Sequence, residues 1–69
     1  MALIDSFVGR ASPVTCRPVV VSLWRLFNPK TLQDVYKVEF VSGSKHEVYD
    51  QLTHAQAMSK YQDAKRWWL

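Results

Sequence analysis

The chain has 69 residues and a formal charge of +3, which fits one small domain and leaves no room for a second. Its single cysteine, Cys16, excludes an internal disulfide and sets it apart from secreted, disulfide-built scaffolds. Stability therefore has to come from packing, for which 48% hydrophobic and 13% aromatic residues are a good supply. A pI near 9.3 permits contact with nucleic acid or an acidic protein surface, without the dense Lys/Arg cluster of a duplex-DNA binder.

The opening segment, residues 1–13, carries Leu3, Ile4, Phe7 and Val8 at helical spacing. Gly9 is placed to stop a helix, and Pro13 limits its continuation. A short helix docked on the core is expected there, with a mobile arm or an extended segment against the sheet as alternatives. The acid at Asp5 and the lack of a basic n-region do not make a secretory signal. No run approaches the ~18 apolar residues of a membrane span. The expected setting is cytoplasmic, with no membrane contact.

Residues 14–69 read as a β-β-β-α unit. Val19–Phe27 is rich in β-branched and aromatic residues, and Pro18 has to sit at its start, at an edge or at a bulge. Val19, Val21, Leu23 and Phe27 share one face. Val20, Ser22, Trp24 and Leu26 share the other. A strand apolar on both faces is covered on both, or meets a partner with one. Asn28-Pro29-Lys30-Thr31 signals a turn, and residues 28–34 leave space for one helical turn at Pro29–Gln33.

Val35–Val41 alternates Tyr36, Val38 and Phe40 with Lys37 and Glu39, the period of a half-buried strand. Ser42-Gly43-Ser44 is a short turn, so Lys45–Gln51 pairs back as an antiparallel strand. Thr53, with Gln56 three residues on, forms a capping box, and Leu52 with Ala57 suits a hydrophobic staple. Ala57, Met58, Tyr61, Ala64 and Trp68 then line one side of a helix, with Lys65 and Arg66 complementing its C-terminal dipole. The expected fold is α+β: a three-stranded antiparallel meander, a C-terminal helix packed on one face, and a short N-terminal helix.

Catalytic and metal chemistry find little footing. Cys16 with His46 or His54 has the residue types of an activated thiol, but no nucleophile turn surrounds it, and a small half-buried Cys is the simpler reading. His46, Asp50 and His54 are spaced four apart, but a strand–helix junction breaks that spacing as a ligand set. Gly9 and Gly43 are isolated, so no phosphate loop exists. The expectation is a non-enzymatic chain with no cofactor and no metal.

The basic and aromatic residues point to binding. Trp24, Arg25, Lys65, Arg66 and Trp67 are the expected contact with a protein partner, since an exposed Trp beside an Arg is the composition of a hot spot. The surplus of apolar surface suggests a homodimer as well. In size and in its lack of a catalytic motif the chain is similar to small phage proteins that bind and block a host machine. That likeness implies a viral regulator or inhibitor. The alternative is single-stranded nucleic acid or RNA, with Lys37, Lys45 and Lys60 at phosphates and Tyr36 or Tyr49 stacking on bases. A structural component of a larger assembly is a third reading.

Overall fold

In the computed structural model, which describes residues 1–69, four strands precede one helix. They are β1 (Ala2–Ala11), β2 (Pro18–Asn28), β3 (Gln33–Ser42), β4 (Lys45–Leu52) and α1 (His54–Trp68). The strands form one antiparallel sheet in the order β1-β2-β3-β4. The chain is α+β, as its patterning indicates, but the meander has four strands instead of three.

The fourth strand comes from residues 1–13. The expected short helix or arm is strand β1, paired antiparallel with β2 from Ala2↔Arg25 to Ala11↔Pro18. The four residues Leu3, Ile4, Phe7 and Val8 are too few to fix a helical period, and a short isolated helix is marginal. Pairing with β2 instead satisfies the backbone groups that face it from Ala2 to Ala11. The register shifts between Leu3 and Asp5 and again between Val8 and Ala11. The first shift lets Asp5 and Phe7 face the helix while Leu3, Ser6 and Val8 face away.

The β2–β3 connection is also tighter than expected. Asn28 pairs with Gln33, leaving a four-residue turn over 29–32 and no helical turn. Asn28 Oδ1 accepts from the Lys30 N–H at 3.0 Å, and Leu32 takes a left-handed φ of 56°. The β3–β4 turn is the two-residue Gly43-Ser44. Its Gly43 has φ 58°, as the first loop position of a type II′ turn requires. Gln51, with φ 57°, lies in the register shift of β4 against β3 between Tyr36 and Val38.

The helix begins as the sequence indicates. Thr53 Oγ1 accepts from the Gln56 N–H at 3.2 Å, and Gln56 Oε1 accepts from the Thr53 N–H at 3.0 Å. Ala57, Tyr61 and Ala64 are buried on Val19, Val21, Leu23 and Val38, with Phe7, Tyr36, Phe40, Leu52, Met58 and Trp68 packed around them. A 15-residue helix spans about 22 Å. An 11-residue strand spans about 36 Å. The helix therefore covers Val19 to Leu23 and stops short of Arg25 and Phe27. Phe27 shares the core-facing parity but is exposed.

Gly9 sets how closely the helix end approaches β1. A Cβ there would lie 2.7 Å from Trp68 Cβ and 2.9 Å from the Trp68 carbonyl oxygen. The Arg10 guanidinium donates to the Trp67 carbonyl beside this contact. At the same end of β1, just past Ala11, Ser42 Oγ donates to the Arg17 carbonyl at 2.9 Å and also meets Thr15 Oγ1. These bonds tie the β1–β2 loop to the end of β3.

Candidate functional site

Side chains alternate across the sheet, so the helix leaves one whole face without a covering element. The β2 residues Val20, Ser22, Trp24 and Leu26 lie opposite Val41, Glu39, Lys37 and Val35 of β3 on that face. Leu3, Ser6 and Val8 extend it across β1, and His46 and Val48 across β4. Leu3, Val8, Val20 and Val48 are exposed, Val8 to 64%. Trp24, Leu26, Val35 and Val41 are half-buried by their neighbours alone.

The polar groups sit near the middle of this face. Glu39 Oε2 lies 3.0 Å from His46 Nε2. Lys37 Nζ lies 5.5 Å from the centroid of the Trp24 ring, within cation–π range. Trp24 Nε1 is buried with no acceptor, an unusual state for an indole N–H. The result is a charged centre flanked by apolar rows.

The expected partner-binding residues divide between the two sides of the sheet. Trp24 is on the uncovered face. Arg25 is exposed on the helix side, beyond the end of the helix's cover. Arg66 and Trp67 are exposed at the helix C-terminus, Trp67 to 68%. Arg66 reaches Asp63 at 3.7 Å. Lys65 points inward: its ammonium lies 3.5 Å from Asp5 Oδ2 and 5.0 Å from the Tyr61 ring centroid. It joins the helix to β1.

That junction shifts two titrations. Tyr61 is 1% exposed, and its hydroxyl, beside the Asp5 carboxylate, lacks a well-formed hydrogen bond. Burial first, and then Asp5, pushes the phenol up to about 12. The Asp5 carboxyl is held below its ordinary 3.8, chiefly by the Ser6 backbone N–H and next by Tyr61 and Lys65.

The basic and aromatic set considered for nucleic acid is also divided. Lys45, Tyr49 and Lys60 line a cleft of about 400 Å³ between the β1–β2 loop, the β3–β4 hairpin and the helix. Lys60 Nζ caps the Tyr49 ring at 3.8 Å. Tyr36 packs on the His54 ring at 5.2 Å, at the other end of the helix side. Lys37 is on the opposite face with Trp24.

Cys16 is exposed in the β1–β2 loop at φ 58° and does not line the cleft. His46 and His54 fall on opposite sides of the sheet, and no three His, Cys, Asp or Glu residues group as metal ligands. No helix is long and apolar enough to cross a membrane.

The alternation of β2 singled out Trp24 and the apolar pair of faces. Leu3 and Val8 were read as part of a helical stripe, and Val41 and Val48 as strand residues, none of them as a contact surface. Their signal is period-two spacing, which becomes readable once β1 is recognised as a strand. Comparison with family models, with curated proteins and with solved structures finds no match for this chain.

Proposed function

We propose that the chain is a small non-enzymatic protein–protein binding module whose contact surface is the sheet face opposite the helix. One observation carries this reading. A four-stranded sheet has a helix on one face only, and its other face presents contiguous apolar rows around a polar centre. Contiguous apolar surface bordered by polar groups marks interaction sites on small proteins. A half-buried Trp at its centre suits a hot-spot anchor. A regulator or inhibitor of a larger protein machine is the role such a module fits. The exposed Arg66 and Trp67 at the helix end offer a second, smaller contact.

The nucleic-acid reading draws less support. Its lysines and tyrosines lie on two sides of the sheet, and Lys60 already occupies the Tyr49 ring that would stack on a base. A continuous basic groove with free aromatic platforms is what single strands need.

Site-specific photo-crosslinking in the cell of origin tests the proposal. A photoreactive residue at Val20 should give protein adducts, and one at Gln62 on the helix should give few. Equal adducts at both positions, or none at Val20, would remove the sheet face as the contact.

A further inference from the structure

We infer that the occupant of the uncovered sheet face is a second copy of this chain, held face to face about a two-fold axis that crosses β3 at Val38. This rests on the reading of that face as a protein-contact surface, and it names the partner. Lys37 and Glu39 flank Val38 on β3 and both point away from the helix, because Val38 is fully buried beneath it. A two-fold axis lying in the interface and crossing the strands at Val38 exchanges the row of Lys37 with the row of Glu39. Each lysine then meets the glutamate of the other copy, twice over. An isologous interface has to be self-complementary in this way.

Shape follows the same operation. On β2 the rows of Lys37 and Glu39 hold Trp24 and Ser22. The axis therefore sets the large Trp24 against the small Ser22 of the second copy. One row further out it sets Leu26 against Val20. Large against small, and apolar against apolar, is the interdigitation that aligned sheet packing uses.

Area is sufficient. Four strands about 4.8 Å apart and ten residues long at ~3.3 Å each give a plan of roughly 600 Å². Side-chain relief brings the accessible surface toward the ~800 Å² per partner of a stable interface. The product is a two-sheet sandwich with both helices outside and both Arg66–Trp67 ends free.

Light scattering on the full chain, with charge reversal, tests this. The wild type should have about twice the mass of the 8.0 kDa chain. Lys37→Glu and Glu39→Lys should each weaken association by roughly tenfold or more, since each sets like charges together at both symmetry-related contacts. The double variant should recover it. Far-UV circular dichroism checks that each variant is folded, and Val20→Lys, which reverses no charge, should dissociate the dimer independently. A wild type that stays at 8.0 kDa at every concentration overturns the second copy as occupant. Adducts from Val20 to a different protein would then leave the contact surface itself standing. A dimer that withstands both single reversals, or is not restored by the double one, overturns the register.

Discussion

Tyr61 carries a pH dependence that follows from its place on the buried side of the helix. Its phenol ionises at about 12 in the fold against an ordinary 10.0, so the neutral form favours the folded state by about 2–3 kcal/mol. That stability is fully present below pH 10 and is lost as the pH rises from 10 toward 12. Asp5 acts at the other end. Its carboxyl is held below 3.8, so its contribution is present above that value and fades as the pH falls beneath it. Tyr61→Phe removes a hydroxyl that lacks a well-formed hydrogen bond. The variant should match the wild type at neutral pH to within about 1 kcal/mol and lose much of the alkaline decline. Urea midpoints at pH 7 and pH 11 measure this, and an unchanged alkaline slope would mean that Tyr61 is not the group that titrates. None of this was legible in the sequence, where Tyr61 is only one member of a helical stripe. Its partner Asp5 lies on a strand 56 residues away.

The elements differ in how openly the sequence declares them. The Thr53–Gln56 box is local, four residues long, and forms as read. The alternation of β3 is equally direct, because Tyr36, Val38 and Phe40 fill the core side while Lys37 and Glu39 do not. β1 was obscured because its apolar residues fit a helical spacing as well. Bulges at Ile4 and at Gly9–Arg10 break its alternation further. The left-handed turns at Leu32 and Gln51 had no sequence signal, since neither residue is Gly or Asn. Gly9, read as a helix stop, instead admits the C-terminal end of α1 against β1. Gly9→Ala should push Trp68 outward and destabilise the fold by about 1–3 kcal/mol, measured by denaturant unfolding. A variant as stable as the wild type would show that β1 and the helix end are less closely packed than 2.7 Å implies.

The whole molecule is a sheet with two unequal faces. One is sealed by Ala57, Tyr61 and Ala64. The other is left to its own side chains, and that asymmetry is what the account of function rests on. The two-faced apolar pattern of β2 made half of it legible. Adding β1 to the sheet did not cover the second face but widened it, because an extra strand extends a surface where a docked helix would have closed it. Lys65, expected at a partner contact, turned to Asp5, while Val8, read as part of a helical stripe, and Val48 became surface. The most direct test of the uncovered face as the contact is methyl relaxation with a soluble paramagnetic agent, at concentrations where the chain associates. The account predicts that Val20, Val41 and Val48 methyls are shielded nearly as well as those of buried Val21 and Val38, while Leu69 stays open to the agent. Methyls on the sheet face that relax as freely as Leu69 would contradict it.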